Sequence, residues 1–313
     1  MNPPDFTSLA LDIFRFQYRL NPVYKSFVDS LGIQPATIHN LSQIPFLPIR
    51  FFKTHRVQTG DFHPALIFES SGTTQTVNSR HFVKDATIYE KSFLTCFESL
   101  YGPVKDWCII GLLPSYLERQ HSSLVYMVKK MIALSQHPAS GFYLNEYQKL
   151  AETLAADRHS KKLLIGVTFA LLDFAALFPA ALKNVVIMET GGMKGRRQEM
   201  IRQEVHDVLK NAFAQASIHS EYGMTELLSQ AYSKGNGLFH CPPWMKVLVR
   251  DDEDPLDVRQ AGTGAINVID LANVYSCSFI ATDDAGHVYN DGSFEVLGRM
   301  DNSDLRGCSL LVL

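Results

Sequence analysis

The chain has 313 residues, enough for one large domain or two small ones, with 46% hydrophobic and 19% charged residues. Its 29 basic and 32 acidic residues leave a formal charge of −3, which offers no bulk attraction for nucleic acid or an anionic membrane. The five cysteines (Cys96, Cys108, Cys241, Cys277 and Cys308) form no Cys-x-x-Cys pair, so neither a metal framework nor a set of disulfides is expected, and a reducing cytoplasm fits.

The first residues carry neither a basic stretch nor a continuous apolar run, so they do not read as a signal peptide. Residues 1–60 read as a helical segment punctuated by Pro22, Pro35, Pro45 and Pro48. From 61 to 237, strands and helices alternate. Strands are expected at 65–68, 107–113, 163–168, 184–188 and 217–220, and helices over 84–100, 122–134, from 169 and over 196–214. Such alternation predicts an α/β body with a mainly parallel, helix-covered sheet. Residues 163–182 hold a single charge, Asp173, over the length of a membrane span. Asp173 at mid-segment and Pro179 argue instead for a buried strand followed by a helix. After Gly237 the texture changes to short strands at 246–249, 264–270, 276–281, 287–289 and 293–297 with Gly/Asp turns, so 238–313 reads as a β-rich subdomain.

Four motifs could carry chemistry. Ser70-Ser71-Gly72-Thr73-Thr74 follows the first strand of the body, and small hydroxyl residues around a glycine let amides and hydroxyls close on phosphate oxygens. Taken alone it is more often an ordinary turn. Arg80 and His81 follow closely and could add positive charge for a triphosphate. Glu221-Tyr222-Gly223-Met224-Thr225-Glu226 lies at the carboxyl end of a strand, where α/β sheets bind ligands. There a tyrosine can stack on a base, a threonine can reach a phosphate and a glutamate can hold Mg²⁺. Thr-Glu is also a common helix cap. Thr282-Asp283-Asp284 reads as a turn, and Gly298-Arg299 follows it.

In this order, with Gly191-Gly192 between the first and second, the motifs resemble the superfamily of acyl-CoA synthetases, adenylation domains and luciferases over about residues 68–308. Within it the chain resembles the LuxE-type acyl-protein synthetases, with phenylacetate-CoA ligase more distant. The resemblance implies the large nucleotide-binding domain of adenylate-forming enzymes and an ATP- and Mg²⁺-dependent activation of a carboxylic acid, a fatty acid, to an acyl-adenylate. It implies that Ser71, Gly72, Thr73 and Thr74 form the phosphate loop, that Tyr222 lies on the adenine, and that Thr225 contacts the α-phosphate. Glu226 would ligate Mg²⁺, Asp284 would take the ribose, and Arg299 matches the Gly-Arg arginine. His121 would stand near the acyl carboxylate, with an ordinary helix-start histidine as the rival reading, and Gly191 and Gly192 would let backbone approach the acyl group.

Two departures matter. Where the usual loop continues with glycine and then lysine, Gln75 and Asn78 stand here, so Arg80 is expected to supply the charge. The chain also ends soon after Gly-Arg, so the mobile C-terminal domain and its lysine are expected to be absent. The resemblance implies that the acyl group passes to one of the chain's own cysteines near the C-terminus, with Cys308 the candidate and Arg306 nearby to favour its thiolate. Two alternatives stay open: a ligase that passes the acyl group in trans to a carrier protein, CoA or small nucleophile, and a nucleotide-binding assembly subunit without turnover.

Overall fold

The structure is a computed structural model that describes residues 5–70, 77–113, 121–144, 146–156, 159–191 and 200–300. The chain divides into two compact units. One is the continuous stretch Phe62–Pro242, and the other joins the residues up to Asp61 with those from Pro243 onward. Boundaries are expected from the sequence at 60/61 and 237/238; the first and last segments belong to one unit.

The discontinuous unit opens with helices α1 (Phe6–Leu20) and α2 (Pro22–Ser30). The Asp5 carboxylate caps α1 by accepting from the Ser8 amide at 2.8 Å, and Asn21 both ends α1 and caps α2 through the Tyr24 amide at 3.0 Å, with Pro22 pre-set for the first turn. The two-residue strand β1 (Leu47–Pro48) and the short helix α3 (Phe51–Thr54) follow.

The continuous unit begins with a hairpin, β2 (Leu66–Glu69) and β3 (Arg80–Val83), paired from Leu66 opposite Val83 to Glu69 opposite Arg80. Then come α4 (Ala86–Tyr101), β4 (Trp107–Leu112), α5 (Ser123–Ser135), β5 (Gly141–Phe142), α6 (Tyr147–Ala155), β6 (Lys161–Val167), α7 (Thr168–Leu177), β7 (Val185–Thr190), α8 (Arg202–Phe213), β8 (His219–Tyr222) and β9 (Ala231–Ser233). Among the described residues the sheet has the order β5-β4-β6-β7-β8-β9, parallel throughout except that β9 runs antiparallel to β8. Strands β4, β6 and β7 are buried along nearly their whole lengths, as continuous apolar runs in a covered parallel sheet must be. Helix α4 starts on the Asp85 cap, ends at Gly102 with φ +83°, and buries Tyr89, Phe93 and Phe97 at four-residue spacing. Each of these rings contributes roughly 1.5–3 kcal/mol on burial. Ile88 and Leu100 on the same helix are only half-buried.

Residues 163–182 resolve into most of β6, α7 and the coil after it, and no helix among the described residues is long and apolar enough to cross a membrane. Of the helix expected over 196–214, residues 196–199 lie outside the described residues, and among those described helix α8 begins at Arg202. Ile201 is extended there, with φ −69° and ψ 154°, and its amide donates to the Glu204 carboxylate, which closes the first turn.

Back in the discontinuous unit, β10 (Met245–Arg250), β11 (Val258–Arg259), β12 (Gly262–Asp270), β13 (Phe279–Val288) and β14 (Phe294–Arg299) form an antiparallel sheet, with β1 parallel to β13 at its edge. The strands expected at 276–281 and 287–289 are one strand. Thr282, Asp283 and Asp284 therefore lie within β13 and not in a turn, because β12 and β14 pair with β13 on either side.

Candidate active site

In the continuous unit, the hairpin β2–β3 gathers residues from three distant stretches of chain. Its open end is closed by two hydrogen bonds: the Ser70 amide donates to the Ser79 carbonyl at 3.0 Å, and the Ser79 amide donates to the Ser70 hydroxyl at 2.9 Å. The phosphate-loop candidates Ser71, Gly72, Thr73 and Thr74 lie outside the described residues; Ser70, at the loop's entry, is half-buried. On the β2 side, His121 is fastened twice. Its carbonyl accepts from the Glu69 amide at 2.9 Å, and its Nδ1 donates to the Ile67 carbonyl at 3.1 Å. A carbonyl can only accept, so this bond places a proton on Nδ1 of the exposed ring. On the β3 side, Arg80 is exposed, with its guanidinium 5.9 Å from the Phe82 ring centre. His81 points the other way. It is fully buried, and its Nδ1 donates to the Thr225 carbonyl at 2.8 Å, so it does not offer the solvent-facing charge for a triphosphate that its place beside Arg80 suggested.

The carboxyl ends of β7 and β8 carry the second group. Glu189, on β7, is buried; it accepts from Arg202 Nε and from the Thr168 hydroxyl, each at 3.2 Å, and lies 3.6 Å from His206 Nε2. Burial works to raise its pKa, but His206, Arg202 and Ser220 together outweigh that and hold it below the usual glutamate range. The Thr168 hydroxyl also donates to the Gly191 carbonyl at 2.8 Å, which ties the start of the Gly-Gly turn to this cluster. Gly191 has φ +69°, a conformation that favours glycine, and Gly192 lies outside the described residues. One strand over, Glu221 accepts a hydrogen bond from the Thr190 hydroxyl. Burial, with the charge of Glu189 added and the Thr190 bond opposing, pushes its pKa up to about 7.

The chain then turns through Tyr222-Gly223-Met224-Thr225-Glu226. Tyr222 is buried with its ring edge-on to Phe239, the centres 5.9 Å apart. Gly223 is exposed on one side, but a Cβ added there would lie 2.4 Å from Glu221 Oε1, so the glycine leaves room for that carboxyl. Thr225 is half-buried and Glu226 is 5% exposed. No helix starts at Thr225-Glu226; a turn closed by the Leu227 amide on the Met224 carbonyl, at 3.1 Å, leads towards β9.

In the discontinuous unit, Asp284 and Arg299 sit opposite one another in register on β13 and β14, with Arg299 Nε 3.8 Å from Asp284 Oδ1. Asp284 is mostly covered, while Arg299 is 75% exposed at the end of β14. The Asp284 amide donates to the Thr282 hydroxyl at 3.2 Å, which itself donates to the Ile266 carbonyl at 2.9 Å. Arg250 braces the same stretch with bonds to the Ile266 carbonyl (2.8 Å), the Asn267 amide oxygen (2.8 Å) and the Thr282 carbonyl (2.7 Å). Register shifts on either side, between Ala265 and Asn267 and between Ala285 and Gly286, mark the β-bulges that commonly re-aim side chains near sites. No local sequence pattern marks Glu189, Arg202, His206 or Arg250. Glu221 stands beside Tyr222 in the motif with no role that the motif itself implies. Cys308 lies outside the described residues.

Comparisons with known proteins give a family by sequence and a fold by structure. The family model described as "Acyl-protein synthetase, LuxE" matches residues 3–313. A long-chain-fatty-acid–luciferin-component ligase of Aliivibrio fischeri is 23% identical, over 96% of this chain and 86% of its own length. Its namesake from Vibrio harveyi is 21% identical, over 96% and 85%. Among solved structures, ATP-bound MatB from Rhodopseudomonas palustris superposes with a TM-score of 0.57 at 16% identity, covering 76% of this chain and 49% of MatB. The O-succinylbenzoate coenzyme A synthetase MenE of Bacillus subtilis, in complex with AMP, gives 0.51 at 16% identity, over 78% and 51%. The chain thus spans about half the length of these solved structures and shares their fold. With the family match running over nearly all of its residues, the chain belongs to the LuxE family of acyl-protein synthetases and is an enzyme of that class.

Proposed function

We propose that the chain uses ATP to activate a long-chain fatty acid as an acyl-adenylate and then passes the acyl group to a thiol. The observation that carries the reading is the β2–β3 hairpin, which hydrogen-bonds His121 on one side and the Thr225 backbone on the other at the mouth of the serine/threonine-glycine loop. Family membership and the relatives' names as fatty-acid ligases support the substrate class.

In this reading Ser70 to Thr74 and Arg80 take the triphosphate, Tyr222 and Gly223 take the base, and Asp284 and Arg299 take the ribose. Gly191 and Gly192 admit the acyl group, and His121 faces its carboxylate. Glu226 fits one magnesium ion. Its buried carboxylate is a hard oxygen donor, and magnesium needs only one or two of these beside phosphate oxygens and water. No three His, Cys, Asp or Glu side chains among the described residues cluster to hold a metal on their own. When bound, the ion neutralises phosphate charge. A carboxylate oxygen of the fatty acid attacks the α-phosphorus, the acyl–phosphate bond forms, and pyrophosphate leaves with the electron pair of the broken bond. Thr225, half-buried beside Glu226, donates to the α-phosphate.

In the second step a thiolate attacks the acyl carbon and AMP departs. Cys96, Cys108 and Cys277 are buried, and burial pushes the Cys96 and Cys277 thiols up to about 12, so they are poor acceptors. We assign the role to Cys308, with an acyl carrier protein or partner enzyme as the alternative acceptor, and we assign the enzyme to the cytoplasm, where ATP and reduced thiols coexist. The test is carboxylate-dependent ATP–pyrophosphate exchange over a chain-length series, with Glu226→Gln beside it. Exchange is expected to rise with chain length and to vanish in Glu226→Gln at an unchanged melting temperature. A peak with an amino acid overturns the fatty-acid assignment. Labelled fatty acid, ATP and Mg²⁺ should leave hydroxylamine-labile label that Cys308→Ser loses and Cys241→Ser keeps. Exchange without any label points to an external acceptor.

A further inference from the structure

His81 is fully buried on β3 and spends its Nδ1 proton on the Thr225 carbonyl, 144 residues along the chain. A buried imidazole loses its hydration, so such a group persists where its hydrogen bond is made and is costly where it is not. The carbonyl it holds belongs to the rigid peptide plane joining Thr225 to Glu226, so fixing that plane limits the backbone rotation that would re-aim either side chain. Two residues before His81, Ser79 closes the base of the serine/threonine-glycine loop with its two bonds to Ser70. Strand β3 is extended and paired with β2, with Phe68 opposite His81, so the loop base and the Thr225–Glu226 turn are joined by one short, stiff connection.

We infer that His81 is a positioning residue: through Nδ1 it fixes the Thr225–Glu226 peptide against the loop-bearing hairpin, so that the α-phosphate donor and the metal carboxylate are aimed before substrate arrives. The catalytic consequence rests on the acyl-adenylate reading; the tether itself does not. The two are separable with His81→Asn and His81→Gln. Both replace the ring by an amide of similar polarity, but only asparagine places its N–H where Nδ1 stands.

His81→Asn is expected to keep kcat for pyrophosphate exchange within about threefold of the parent, and His81→Gln to lose about tenfold or more, with the ATP KM moving less than about threefold in both. In the free protein, hydrogen exchange of peptides covering 222–228 is expected to quicken in His81→Gln and to match the parent in His81→Asn. Equal behaviour of the two variants in both measurements overturns the inference, including equal failure to fold, since asparagine supplies the same donor. A parent without carboxylate-dependent exchange sinks the ligase reading alone, and the hydrogen-exchange comparison still decides the tether.

Discussion

Glu221 stands beside the nucleotide-site candidates without a role in the motif itself. Its carboxyl is buried, opposed by the charge of Glu189 and partnered by Thr190, and titrates near 7 instead of 4.5. Between those values the folded chain keeps a proton that the unfolded chain has released, so stability present below pH 4.5 is lost as pH rises to about 7. Glu221→Gln, which stays neutral, is expected to outperform the parent by up to about 3 kcal/mol above that window and to match it below. Urea unfolding across the window checks this, and parallel pH slopes in the two proteins would show that Glu221 ionises normally. Asp284 belongs to the same scale. In the proposed complex its carboxylate accepts from the ribose hydroxyls, and charge-assisted bonds of that kind contribute about 1.5–3 kcal/mol. Asp284→Ala should weaken ATP binding by that order in calorimetry, and unchanged affinity would remove it from the site.

The Tyr222–Glu226 turn shows how an element is shaped by what lies beneath it. Gly223 is required less by its own backbone than by the Glu221 carboxyl, which an added Cβ would meet at 2.4 Å, and by Gln230, whose Cγ would lie at 3.4 Å. Gly223→Ala is therefore expected to cost about 1–3 kcal/mol, as overpacking does. Glu221→Ala should return part of that loss, and a double-mutant cycle read by thermal melts measures the coupling. Additive effects would mean that the two groups do not collide. Elements also separate what was readable from what was not. The strands expected at 107–113 and 184–188 correspond to β4 (Trp107–Leu112) and β7 (Val185–Thr190), because parallel strands covered on both faces are apolar throughout. Thr282-Asp283-Asp284 read as a turn because aspartate is scarce in strands. Pairing on both sides of β13, with Arg250 bonded to the Thr282 carbonyl and Arg50 paired with Asp283 at 3.2 Å, overrides that preference.

At the scale of the whole chain, the unit Phe62–Pro242 is continuous and carries its own sheet and buried aromatic cluster, whereas the other unit is assembled from both ends of the sequence. Residues 62–242 expressed alone should give a cooperative thermal transition, because every strand of the β5–β9 sheet lies within them. The fragment should bind ATP at least about tenfold more weakly than the full chain, since it lacks Asp284 and Arg299. Calorimetry on both proteins checks this, and a fragment without a folding transition would show that the continuous unit depends on the remainder.

The order of motifs, the alternation of strands with helices and the change of texture after Gly237 were set by the sequence alone, because hydrophobic period and turn chemistry are local properties. Family membership was legible for the same reason: the Ser-Ser-Gly-Thr-Thr and Tyr-Gly-Met-Thr-Glu strings are short and contiguous. Tertiary structure alone decided that residues up to Asp61 join those from Pro243 onward, that His81 turns inward to Thr225, and that Glu189 draws in Arg202 and His206. Each of these outcomes depends on partners far away in the chain. A side chain's burial and hydrogen bonds are fixed by what the fold brings beside it, which no local pattern encodes.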